Sequence, residues 1–295
     1  MDRIVKSLDS YKKSIQNLQV NSGQVVLILV LITVVGLTVG LSLISRTVTD
    51  VRISSQIEQS SRAFSAAEAG VETALQGAQV GSSGSLNVTA NTTANYNVTM
   101  LGGNNSVFTY PYTETNDIQT LWLNSHTNEI LDESATNSYS PSSSLTVCWG
   151  SQTTKSTDES AIEVSIYYKD AGGQYYIAKG AYDPDPLTRT PPDNFTQAEK
   201  AGGYCGGDYR FRQVITPTSL GVPSGDILLV MRIQPLFSGT VLAVQPSATL
   251  PQQGSLITSV GQTSTGIVRK IQVTQGYKSF PTLFDMALFC ENCSH

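Results

Sequence analysis

Apolar positions fall into three regimes along this chain. From Gln24 to Ser45 they are almost continuous, and QVVLILVLITVVGLTVGLSLIS runs for 22 residues without a charge. About 20 such residues in a helix cover the roughly 30 Å hydrocarbon core of a bilayer. A soluble helix of this length would carry a polar stripe, so residues 24–45 are predicted to form a transmembrane helix. In the second regime apolar residues recur at Ile53, Ile57, Phe64, Val71 and Leu75, with Ala67, Ala74 and Ala78 on or near the same stripe. These spacings are sums of three and four, the mark of one helical face. No proline occurs from Met1 to Thr109, so the helix can continue from the membrane segment through residues 46–80. Glu58 and Arg62 stand at i,i+4 in the favourable order, and Gly77 and Gly81 are candidate stops.

The third regime alternates. Residues 81–106 are rich in Gly, Ser, Asn and Thr and read as a linker, with short alternating pieces at Leu86-Asn-Val-Thr and Tyr96-Asn-Val-Thr-Met. Over 107–295 β signals dominate. Leu145-Thr-Val-Cys-Trp, Ala161 to Tyr168, Gln174 to Lys179, Asp208 to Ile215, Asp226 to Ile233 and Gly266 to Thr274 are strand candidates, and Asp170-Ala-Gly-Gly is a hairpin signal. Proline-rich pieces from Asp183 to Asp193 and Thr216 to Pro223 punctuate them as loops. The predicted class is α+β: a long N-terminal transmembrane and amphipathic helix, then a β-rich exported domain for which a sandwich is the candidate architecture.

The flanks of the apolar run orient it. The upstream residues 1–23 carry Arg3, Lys6, Lys12 and Lys13 against Asp2 and Asp9. This bias favours a cytoplasmic N-terminus and an extracytoplasmic C-terminal domain, although Arg46, Arg52 and Arg62 follow on the far side. A secretory signal peptide would place small residues after the apolar region; here Arg46-Thr47-Val48-Thr49-Asp50 follows instead. The small residue, Gly23, precedes the run. A peptidase cutting between Gly23 and Gln24 would remove the charged leader and keep the hydrophobic helix.

These residues resemble type IV pilin-like proteins, and specifically minor pilins of the PilX/GspK type. The resemblance rests on Gly23 ahead of the apolar helix, on the helix running on out of the membrane, and on Arg62-Ala63-Phe64-Ser65-Ala66-Ala67-Glu68-Ala69-Gly70-Val71-Glu72. It covers about residues 20–80. Downstream, Ser144-Leu-Thr-Val-Cys-Trp-Gly and Ile162-Glu-Val-Ser-Ile-Tyr-Tyr are similar to segments of pilin-like proteins from small-genome bacteria. The resemblance implies insertion as a prepilin, cleavage after Gly23 by a prepilin peptidase, often N-methylation of Gln24, and assembly at an inner-membrane platform into a filament cored by such helices. Two positions depart from major pilins: Gln24 stands where the mature chain usually begins with Phe, and Ile28 where Glu is usual. That Glu pairs with a neighbour's terminal amine in low dielectric, so Ile28 points to a minor or tip subunit. Gly36 and Gly40 form a GxxxG pair, read as close helix–helix approach, as local softening, or as the ordinary glycine content of membrane helices.

Composition narrows the functional classes. Hydroxyl side chains (35 Ser, 31 Thr) outnumber the 41 charged residues, unlike a typical cytosolic enzyme with about a quarter charged residues. A net charge of −5 offers no broad phosphate-neutralising face, so nucleic acid is not an expected partner, though DNA uptake by an assembled filament stays open. Removing residues 1–23 takes away four basic and two acidic groups, which leaves −7. Cysteines at 148, 205, 290 and 293 allow disulfides outside the cytoplasm. A 148–205 bridge is one pairing, and Cys290-Glu-Asn-Cys293 reads as a tail disulfide or inert thiols. It also has the spacing of half a zinc site, but no second pair or His cluster accompanies it.

Asp183, Asp185 and Asp193 could gather around Ca²⁺, but Asp-Pro turn chemistry is the preferred reading. N-x-S/T sequons begin at Asn87, Asn91, Asn97, Asn104, Asn194 and Asn292 and make glycosylation permissible. There is no phosphate-binding glycine loop, GxSxG or HExxH, and His126 and His295 stand apart. No enzyme activity, cofactor or metal is expected. Expected partners are the membrane, other pilin subunits through the helix bundle, the prepilin peptidase and the assembly platform. The expected function is a structural minor pilin or pseudopilin. The alternatives are a single-pass surface adhesin or stalk protein outside any filament and, more weakly, an anchored exported hydrolase.

Overall fold

The computed structural model describes residues 22–77, 79–127, 129–151, 159–189 and 191–279. Most of the expected leader, as well as Cys290, Asn292, Cys293 and His295, lie outside these residues. One helix, α1, runs unbroken over Ser22–Leu75. It is long and apolar enough to cross a membrane. Its end falls five residues short of the expected position 80, just ahead of Gly77.

The chain divides into two compact units at Arg62/Ala63. In the first, the large apolar side chains from Val25 to Ile44 are 48–67% exposed, surface that water would penalise at about 25 cal/mol per Å² of apolar area. The hydroxyls of Thr33 and Thr38 donate to the Val30 and Val35 carbonyls at 2.8 Å, which satisfies two donors that hydrocarbon could not. Further along, Arg62 meets Glu58 at 2.6 Å as the spacing predicted; both are exposed, so the pair adds little stability.

The second unit is β-rich and built from several sheets, with strands numbered in chain order. A four-stranded antiparallel sheet has the order β1 (Ser83–Thr89), β2 (Thr92–Gly102), β15 (Gln252–Thr263) and β16 (Val268–Gly276). A five-stranded sheet has the order β10 (Thr196–Gln197), β9 (Tyr175–Asp183), β8 (Ala161–Lys169), β13 (Ile227–Leu236) and β4 (Gln119–Trp122), with β10 parallel to β9 and the rest antiparallel. A second five-stranded sheet runs β11 (Glu199–Lys200), β12 (Tyr209–Ile215), β7 (Leu145–Ser151), β14 (Leu242–Pro246) and β3 (Phe108–Thr109). Strands β5 (His126–Thr127) and β6 (Ile130–Leu131) form a small hairpin. The Asp170 turn joins β8 to β9 as expected, its carboxylate accepting from the Gln174 amide at 2.8 Å.

Residues 81–106 are not a linker. They form the β1–β2 hairpin, and β2 pairs with β15 over nearly its whole length. The β-rich unit therefore begins well before residue 107. The Gly/Ser/Thr composition that suggested a connector belongs to a sheet with one face covered by a closely packed helix, where large side chains do not fit.

Both five-stranded sheets contribute to one hydrophobic cluster: Leu121, Ile166 and Met231 from the first, and Leu145, Trp149 and Leu242 from the second. Trp149 is fully buried, and its indole N–H donates to the Ser160 carbonyl at 2.8 Å, so the ring is packed without an orphaned donor. A side chain also bridges between sheets. The buried amide of Gln253, on β15, accepts from the Trp122 N–H and donates to the Trp122 carbonyl, each at 2.8 Å. It thereby occupies backbone groups at the edge of β4 that would otherwise face no partner.

Candidate functional site

The Arg62–Glu72 segment lies in the last turns of α1, packed on β2 and β15. Ala63, Ala66, Ala67, Gly70, Val71 and Ala74 are buried and repeat at helical spacing. The sheet answers with Ala94 and Val98 from β2 and Ile257 and Ser259 from β15, all buried. Val71, Ala74, Val98 and Ile257 form a small apolar cluster, flanked by Tyr96, Ile271 and Val273.

Glycines set the separation at this contact. A Cβ at Gly261 would collide with the Ala63 carbonyl oxygen and the Ala67 nitrogen, both of them helix backbone. From the other side, a Cβ at Gly70 would meet the Ser259 hydroxyl and Ala94. Helix and strand backbones thus approach as closely as the absence of side chains permits. The buried Ser259 hydroxyl has no hydrogen-bond partner among the described residues, an arrangement that normally costs about 1–3 kcal/mol.

The structure spreads the sequence-derived candidates around this contact. Ala66, Ala67, Gly70 and Val71 lie within it, whereas Glu68 is exposed and Ala69 is half-buried on its margin. Phe64, expected on the packing stripe, is instead 47% exposed, as are Ile53 and Ile57 at 49% and 65%. The helix turns its small residues to the sheet because a ring at Phe64 would hold the two backbones apart. The large apolar stripe lies roughly a quarter turn away. Gly23 and Gln24 fall in the first turn of α1. Gly36 and Gly40 face open space, with no atom near where a Cβ would stand.

Cys148 and Cys205 are joined in a disulfide with Cα atoms 6.3 Å apart. The bridge ties β7 to the short turn after β11 and packs against Ala243. The loop from Asp183 to Asp193, for which turn chemistry is preferred over a calcium site, is held by an internal ion pair. Arg189 inserts between Asp183 and Asp193: its guanidinium binds both Asp183 oxygens, lies 3.7 Å from Asp193, and donates to the Glu159 carbonyl at 2.7 Å. Burial alone would raise the Asp183 carboxyl, but the Arg189 guanidinium and the Asp185 amide bring it below its usual value. Burial and the neighbouring Asp183 raise that of Asp193. The guanidinium thus supplies the positive charge that a cation would have brought. Among the described residues, no three His, Cys, Asp or Glu side chains stand together as metal ligands. The sequons at Asn87, Asn91, Asn97, Asn104 and Asn194 are all exposed.

Sequence reasoning missed Gly261, Ser259, Ala94 and Gln253. For the three residues of β15 the one signal was a strand-length stretch, Gln252–Thr263, in which small and polar residues are interspersed with Leu256, Ile257 and Val260. No protein-family model matches the chain, and neither a curated protein nor a solved structure matches it.

Proposed function

We propose that this chain is a minor pilin-like subunit of a type IV filament or a related secretion machine, processed between Gly23 and Gln24 and assembled through α1. The observation that carries this reading is the two-part character of one unbroken helix. Its first part is apolar on every side, which suits storage in a bilayer and transfer into a bundle of like helices. Its last turns hold the β-rich unit through the Ala66-Ala67-Glu68-Ala69-Gly70 segment. In this reading the N-terminus is cytoplasmic and the β-rich unit extracytoplasmic. The two five-stranded sheets are the layers of a sandwich, a reading supported by the single hydrophobic cluster to which both contribute.

Ile28, which fits a minor or tip subunit, fits equally a second reading, a single-pass surface adhesin that stays in the membrane, because it lacks the carboxylate that would pair with a neighbour's terminal amine. Mechanical shearing of cells separates the two. Recovery of the chain in the sheared filament fraction supports the subunit, and replacing Gly36 and Gly40 by Leu should then lower that recovery while leaving membrane insertion intact. Complete retention in the membrane fraction supports the anchored adhesin.

A further inference from the structure

One face of the first five-stranded sheet carries a feature that the assembly reading does not use. The register sets Trp122, Val230, Tyr167 and Ile177 side by side across β4, β13, β8 and β9. Their chain neighbours Leu121, Met231, Ile166 and Ala178 point into the hydrophobic cluster, so this row occupies the opposite face. With strands about 4.8 Å apart, the row is an apolar strip roughly 14 Å long. It floors a cavity of about 690 Å³, inside the range of about 300–1,000 Å³ usual for small-ligand sites.

The walls are aromatic and polar together. His126 stacks on Tyr277 with centroids 3.8 Å apart and turns an edge of the pair toward Trp122 at 4.5 Å. Glu133 accepts from Lys169 at 2.8 Å and from the Tyr175 hydroxyl at 2.6 Å. Both donors use Oε2, which leaves Oε1 to accept from a ligand. Lys278 is paired with Glu129 at 3.2 Å, and Arg232 lines the floor, 7% exposed. Cations and carboxylates are balanced here, so neither a polyanion nor a polycation is favoured. Lipid would leave these charged groups desolvated.

We propose that this face binds a neutral oligosaccharide, whose sugar rings lie along the Tyr167–Ile177 end of the strip beside the exposed Tyr175 ring and whose hydroxyls bond to Glu133 and the Tyr175 hydroxyl. Flat apolar surface beside hydrogen-bonding groups of both kinds matches a molecule that is apolar on its ring faces and polar at its rim. The inference does not depend on whether the chain enters a filament.

The test uses the full chain in a sugar-free detergent, screened on an array of neutral and sulfated glycans. The best neutral glycan is then titrated calorimetrically. Tyr175 and Ile177 are 60% and 52% exposed, so both can be changed without disturbing the core. Tyr175→Ala should weaken binding roughly tenfold, the order expected of one lost aromatic contact. Tyr175→Phe, which keeps the ring but removes the hydroxyl, should weaken binding by less, about threefold, and Ile177→Glu should abolish binding. A chain that binds no neutral glycan, that binds only sulfated ones, or whose binding is unmoved by Ile177→Glu overturns the proposal.

Discussion

Where the two five-stranded sheets share a core, the buried side chains are large: Trp149, Leu145, Ile166, Met231 and Leu242. Where α1 meets the four-stranded sheet they are mostly Ala, Gly, Ser and Thr, with Val71, Val98 and Ile257 as the bulkiest members. The first core is stabilised by apolar area, the second by closeness of backbones. The two should fail differently. Large side chains leave cavities when truncated, whereas a contact built on glycines is pushed apart by a single added methyl group.

Trp149→Ala should give the largest loss, about 3–5 kcal/mol by chemical denaturation; a loss below about 1 kcal/mol would show that the ring is not part of a close-packed core. Gly261→Ala comes next, at roughly 1–3 kcal/mol. The atoms in the way are the backbone of α1 at Ala63 and Ala67, so no side-chain substitution should relieve it. Gly70→Ala should cost less, about 1 kcal/mol, because its main obstacle is the Ser259 side chain. Ser259→Gly in the same chain should recover much of the loss, a coupling that a double-mutant cycle measures directly; strict additivity would deny the contact.

The smallest effect concerns pH. Burial lowers the pKa of His126 beside Tyr277 and Trp122, so the folded chain binds this proton less readily than the unfolded one. Its contribution is complete above the ordinary histidine value of about 6.5 and is lost as pH falls through the lowered folded value. Thermal melts between pH 8 and pH 5 should therefore show a modest decline that is reduced in His126→Phe. A decline of the same size in that variant would assign it to other groups.

The same contrast explains what could be seen in the sequence. Strands of the large-residue core were legible because β-branched and aromatic residues alternate in them, as in Ala161–Lys169, Tyr209–Ile215 and Ile227–Leu236. The unbroken helix was legible from its lack of proline and its 3.6-residue period. The β1–β2 hairpin and β15 were not, because the same Gly, Ser and Thr that mark loops also allow a helix to lie close on a sheet. Phe64 belongs to the apolar stripe yet not to this contact for a related reason: apolar periodicity weights bulk, and the contact selects its absence. The Asp183–Arg189–Asp193 cluster eluded composition as well, since six residues of loop do not reveal that an arginine will fold back between two carboxylates. Gln253 gave no signal, because its role depends on an edge strand 131 residues away.

Whether α1 begins a processed subunit or a permanent anchor is read from the mass of the chain's N-terminal peptide. In membranes from cells with an active prepilin peptidase, a processed subunit gives a mature chain beginning at Gln24 that is lost when Gly23 is replaced by Leu. An intact terminus at Met1 or Asp2 in those cells would contradict processing.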